Sequence, residues 1–74
     1  MNKSATNVII HKLTTEPEAW EVDSFWVTHQ SGLKIWIGNG AFSCRIEKPT
    51  YQEFSFFDRF RVYQAIQQLH KRKA

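Results

Sequence analysis

The chain has a single cysteine, Cys44, so no internal disulfide can staple it and no paired cysteine metal site exists. His11, His29 and His70 stand apart from one another and from Cys44, without CxxC or HxxxH spacing, so no metal or other cofactor is expected. No apolar run approaches the ~20 residues of a membrane span. The opening Met-Asn-Lys-Ser-Ala-Thr-Asn carries no apolar signal-peptide core. A lone thiol facing a core suits a reducing interior, and the expectation is a soluble cytoplasmic protein. Catalytic equipment is equally sparse. Cys44 with His29 is the one nucleophile–base pair that suggests itself, and the strand register derived below sets the two on opposite sheet faces. Glu16, Glu18, Glu21 and Asp23 sit on or near a loop with no second group to polarise them. Gly38-Asn39-Gly40 lacks the following helix that a phosphate loop needs. The expectation is a non-enzyme with no small-molecule substrate and little room for an enclosed pocket. No ribonucleoprotein aromatic motif, helix-turn-helix or zinc-module pattern is present.

What the chain does have is aromatic mass. Three Trp and six Phe in 74 residues give one small domain large pieces for its core, since each such ring can bury ~150–250 Å². A fold this short depends on that packing, alone or in a dimer that shares aromatic surface. Charge is uneven. Lys3 and Lys12 face Glu16, Glu18, Glu21 and Asp23 in the first third, whereas later Lys34, Arg45, Lys48, Arg59, Arg61, Lys71, Arg72 and Lys73 outnumber Glu47, Glu53 and Asp58. Such polarity can steer an anionic partner or simply aid solubility.

The most legible stretch runs from Leu33 to Ile46. Asn39-Gly40 supplies the positive-φ pair of a two-residue hairpin turn. That turn sets Ile37 opposite Phe42, Trp36 opposite Ser43, Ile35 opposite Cys44 and Lys34 opposite Arg45. Leu33, Ile35, Ile37, Phe42, Cys44 and Ile46 then share one face, and Lys34, Trp36, Ser43 and Arg45 the other. Before it, residues 1–6 read as frayed, and Val8-Ile9-Ile10 marks a first strand within Asn7 to Leu13. Thr14 to Ala19, with Pro17, reads as a loop, and Trp20 to His29 as the next strand. A two-residue turn at Ser31-Gly32 sets Trp26 opposite Ile37 and Val27 opposite Trp36. Trp20, Val22 and Trp26 then join the core face, and Phe25, Val27 and His29 the open one. A longer loop with a bulge is the alternative, because Ser is a poor left-handed residue. Lys48-Pro49 ends the last strand. Ser55 caps a helix over 55–72, with Asp58 near its positive end, in preference to a start at Thr50 with Glu53. Its apolar stripe is Phe56, Phe60, Val62, Tyr63, Ile66 and Leu69.

The expected fold is α+β: an antiparallel β-meander of three to four strands with one C-terminal α-helix packed across one sheet face. The other face stays open unless Asn7 to Leu13 covers it. Phe25, Val27 and Trp36, with His29, Lys34 and Arg45 at the margin, form the candidate partner-binding residues. Aromatic and Arg side chains in such a patch suit a protein interface, either a homodimer or a dock on a larger target. The alternative is a nucleic-acid-binding face, with bases stacked on the aromatics and phosphates held by Lys34, Arg45, Arg61, Lys71, Arg72 and Lys73. Cross-strand packing of Val27 on Trp36, and a dipole-matched solvated helix end, are the purely structural readings. The economy of the chain suits a small regulatory or inhibitory protein, and a phage or mobile-element origin is compatible with that.

Overall fold

The computed structural model describes residues 2–38 and 42–73, and its first element starts at Lys3. The Asn2 side chain accepts the Ala5 amide at 2.8 Å and caps α1, Lys3–Thr15. The strand expected within Asn7 to Leu13 is therefore a helix, and Lys3 to Thr6, expected to be frayed, belong to it. The β-branched Val8-Ile9-Ile10 run was the misleading signal. Its helix penalty is at most ~0.7 kcal/mol per residue, and burial of Thr6, Ile9 and Leu13 at helical spacing outweighs it. Glu16 ends the helix, its amide donating to the Lys12 carbonyl, and Pro17–Ala19 form a single 3-10 turn.

Five antiparallel strands follow, each beside its sequence neighbour: β1 Trp20–Val22, β2 Trp26–His29, β3 Lys34–Ile37, β4 Cys44–Lys48 and β5 Gln52–Glu53. The single strand expected over Trp20 to His29 is a hairpin. Trp20 pairs with His29 and Val22 with Val27, and the Asp23 amide donates to the Trp26 carbonyl at 2.8 Å. β5 adds a fifth, two-residue edge strand. The α+β meander stands, with five strands and two helices among the described residues.

The β2–β3 connection decides which residues face which way. His29 N–H donates to Leu33 O at 2.8 Å and Gly32 N–H to His29 O at 2.9 Å, so the loop is the three residues Gln30-Ser31-Gly32. Gly32 sits at φ +99°, the left-handed conformation that such a bulged turn requires. Val27 consequently pairs with Ile35 and Trp26 with Trp36, one residue away from the two-residue-turn register. A one-residue slip exchanges the faces. Val27 and His29 go inward, and Trp26 goes outward.

Between β3 and β4 the slip is two residues over Ile35 to Ile37, which leaves their faces intact, and a bulge between Lys34 and Ile35 sets Lys34 opposite Lys48. Ile37 pairs with Cys44, Trp36 with Arg45 and Ile35 with Ile46, and Gly38 N–H donates to Ser43 O at 2.8 Å. The Asn39-Gly40 turn itself lies outside the described residues.

α2, Phe56–Lys73, begins after Ser55, whose Oγ accepts the Asp58 amide at 3.4 Å. It buries Val62, Ile66 and Leu69, while Phe60 and Tyr63 are half-buried and pack edge-on against Phe42. Phe56, expected in the buried stripe, is exposed. α1 and α2 lie side by side on one sheet face. Ile9, Leu13, Val62, Ile66 and Leu69 share one core with Trp20, Val27, Ile35, Ile37, Cys44, Ile46 and Phe54. Trp20 is almost fully buried, and its Nε1–H donates to the Lys12 carbonyl at 3.1 Å, tying β1 to α1. The N-terminal segment thus adds to the core side and does not cover the outer face.

The Trp36 indole lies across Gly38, where an added Cβ would sit 2.4 Å from the ring and 2.8 Å from the Ser43 Cβ. Gly38→Ala is expected to destabilise the fold by ~1–3 kcal/mol, read as a lower urea midpoint. An unchanged midpoint contradicts this close approach.

Candidate interaction surface

The outer face is built from two cross-strand rows. One runs Trp26, Trp36, Arg45, Glu53 across β2 to β5, and the next runs Glu21, Thr28, Lys34 across β1 to β3. Phe25 O accepts the Ile37 amide and His29 N–H donates to Leu33 O, so Trp26 and Trp36 occupy a non-hydrogen-bonded position between ladder bonds. Side chains approach most closely at such positions. The two cations lie over the rings. Lys34 Nζ is 4.2 Å from the Trp26 ring centre and the Arg45 guanidinium 4.2 Å from that of Trp36, with Tyr51 on the far side of Arg45 at 5.5 Å. Arg45 also donates from Nε to Glu47 at 2.8 Å, a hydrogen bond that raises its already high pKa. Lys34 and Arg45 share this face with Glu21, Glu47 and Glu53, so it is aromatic and close to charge-balanced.

The residues expected to bind a partner divide accordingly. Lys34, Trp36 and Arg45 are brought together on the outer face. Phe25 is exposed just before β2 but lies in the row of the core-facing Ile37 and Cys44, so it is corrected off the face that carries Trp36. Val27 is corrected to the core at 0% exposure, and His29 is buried at 4%. Trp26, placed in the core by the shorter turn, is instead a centre of the surface, and Tyr51 was missed because it follows the Pro49 stop. Phe56 and Phe57, 67% and 78% exposed, add a pair of edge-on rings at the start of α2.

The basic C-terminal residues are mostly engaged within the fold. Arg61 bonds Asp58 at 3.1 Å and Asn7 at 2.7 Å, Arg72 donates to Thr14 O at 2.6 Å, and Lys73 donates to Pro17 O at 3.1 Å. They fasten α2 to α1 and the turn that follows it. Lys71 is exposed. A concavity of about 640 Å³ on the helix side touches Ile10, Phe42, Arg61 and Tyr63, away from the paired indoles.

His29 has its own constellation. Its Nε2 lies 2.8 Å from Glu16 Oε1, and its Nδ1 lies 2.9 Å from Ser31 Oγ and 3.1 Å from the Ser31 amide. The hydrogen bond from His29 holds the Glu16 carboxyl below its usual range. Cys44 and His29, expected on opposite faces, both point inward but sit at opposite ends of the sheet, in the rows of Ile37 and Leu33. Burial pushes the Cys44 thiol up to about 12, and Sγ donates to Arg59 O at 3.6 Å. Among the described residues, no group of three His, Cys, Asp or Glu side chains is placed to hold a metal ion, and no helix is long and apolar enough to cross a membrane.

The chain matches no protein-family model, no curated protein and no solved structure.

Two measurements check the electrostatics. Cys44 is expected to resist Ellman's reagent at pH 8 in the folded protein and to react promptly in denaturant; rapid native-state reaction contradicts its burial. Glu16 is ionised more readily in the fold than its ordinary value of 4.5. Its contact with His29 therefore contributes fully above that value and is lost as pH falls through the lowered one. Glu16→Gln is expected to flatten the acid limb of the stability curve, and an unaltered limb contradicts the contact.

Proposed function

We propose that this protein is a small non-catalytic protein-binding module, docking through the outer sheet face with Trp26 and Trp36 at its centre. The observation that carries this reading is the placement of both helices on one side of the sheet, which leaves two directly opposed tryptophans on the uncovered side. Trp and Arg dominate interface hot spots, and a desolvated aromatic centre with a polar, mixed-charge margin matches interface anatomy. Tyr51 extends the apolar margin, and Lys34, Arg45, Glu47 and Glu53 supply the polar contacts. A second copy of the chain and a larger target both fit. A regulatory or inhibitory role suits a module that acts by occupying a surface. The buried reduced Cys44 supports a reducing compartment such as the cytoplasm.

Nucleic-acid binding stands second. Phosphate affinity needs uncommitted Lys and Arg. Here Arg45 is paired with Glu47, three carboxylates share the face, and Arg61, Arg72 and Lys73 are bonded within the fold.

The test combines self-association with partner capture. Sedimentation over a range of concentrations reads a homodimer directly, and immobilised protein reads a larger target. Trp26→Ala is expected to weaken either association by ~2 kcal/mol or more, against a folding cost of only ~0.2–1 kcal/mol for the lost cross-strand pair. Titration with short single- and double-stranded DNA and RNA at low salt is expected to leave tryptophan fluorescence unchanged. Tight binding that weakens steeply with salt transfers the function to nucleic acid, and association indifferent to Trp26→Ala removes the outer face from it.

A further inference from the structure

We propose that Ser31 is a nucleophilic hydroxyl that accepts an acyl group from an uncharged activated ester, with His29 as its base and Glu16 as the positioning residue. The geometry meets the requirements of an activated nucleophile. Ser31 is exposed on the β2–β3 turn, with its Oγ 2.9 Å from His29 Nδ1. An amide can only donate, so the Ser31 N–H at 3.1 Å identifies Nδ1 as the nitrogen carrying the lone pair. The ring proton is then on Nε2, aimed at Glu16 Oε1 2.8 Å away. His29 is 4% exposed, and Trp20 packs edge-on against it at 5.0 Å, which fixes the plane of the ring.

The surroundings choose the donor. A cleft of about 460 Å³ beside the ring is lined by Ala19, Trp20, Thr28 and Gln30 together with Glu18 and Glu21. With Glu16 these make three carboxylates, which repel phosphoryl and carboxylate donors and admit a neutral ester. In the step, Ser31 Oγ bonds to the carbonyl carbon and the bond from that carbon to the leaving oxygen breaks. The leaving group departs as an anion, and the hydroxyl proton passes to Nδ1 and on to solvent. Once protonated, Nδ1 no longer accepts from the Ser31 amide, whose N–H then faces the imidazolium N–H and not the acyl oxygen. The neighbouring amides are engaged, Gln30 with Ala19 O and Gly32 with His29 O, both at 2.9 Å. With none of the three turn amides placed as an oxyanion donor, the site supports a single acylation, while rapid turnover would need such a donor. Ser31 is thus a site of stoichiometric modification at the β2–β3 turn, and the cleft beside it is lined in part by Glu21 and Thr28 of the outer face.

The test incubates the intact protein with p-nitrophenyl acetate and maps acetylated residues by mass spectrometry over time. Ser4, Ser24 and Ser55 are exposed serines without an imidazole contact and serve as internal references. Ser31 is expected to be acetylated at least about tenfold faster than any of them, and to lose that advantage in denaturant. Equal rates in the folded protein overturn the proposal. Glu16→Gln, with its fold checked by circular dichroism, is expected to slow Ser31 about tenfold; an unchanged rate overturns the role of the pair. Should that variant fail to fold, the comparison of serines within the wild-type protein decides alone.

Discussion

One residue of backbone, Gly32 at positive φ, governs what this molecule shows to its surroundings. It permits a three-residue turn between β2 and β3, and side-chain alternation does the rest. With that turn, Val27 enters the core, Trp26 moves out beside Trp36, and His29 points under the helices toward Glu16. A two-residue turn would have buried Trp26 and put Val27 and His29 outside. The proposed docking face and the Ser31–His29–Glu16 constellation are therefore two results of one conformational choice. A β-carbon at Gly32 meets no neighbour, so the constraint there is purely torsional.

The parts legible in the sequence are those where local signals and burial agree. β3 and β4 alternate cleanly, and their faces survive a two-residue change of register because the pleat repeats every two residues. Ser55 caps α2 because its hydroxyl can reach the amide three residues on, and Phe54 ahead of it is buried. The misread parts are those where propensity and packing diverge. Val8-Ile9-Ile10 has the composition of a strand. Its helix is decided by the Asn2 cap and by the helical spacing of the buried Thr6, Ile9 and Leu13, which a six-residue window does not reveal. Trp20 to His29 looks continuous because its turn at 23–25 contains neither Gly nor Pro. Of the candidate site, Lys34, Trp36 and Arg45 were readable from alternation. Trp26 and Tyr51 were not, since one depended on turn length and the other on a two-residue edge strand.

Charge shows a similar gap between sequence and structure. The late excess of Lys and Arg invites a nucleic-acid reading, yet these groups are long enough to reach backbone carbonyls on neighbouring elements. Arg72 and Lys73 satisfy the Thr14 and Pro17 carbonyls at the end of α1 and in the turn after it, and Arg61 joins Asp58 to Asn7. In a chain this small the last helix has few ways to be held in place, and the cations of α2 take part in holding it.

The same end of α1 holds the β2–β3 turn. Lys12 O receives the Trp20 indole, Ala19 O receives the Gln30 amide, and Glu16 receives His29. Two of these bonds, to Gln30 and His29, clamp the turn whose geometry decides the outer face, and the third holds the adjoining β1. A ring hydrogen-bonded through both nitrogens and packed by Trp20 loses the rotational freedom that would otherwise have to be given up in any reaction or binding event. The turn is thus organised by contacts within the chain itself. Its rigidity is also what keeps Trp26 opposite Trp36, because a frayed turn would release β2 to slide by one residue and take the indole back toward the core.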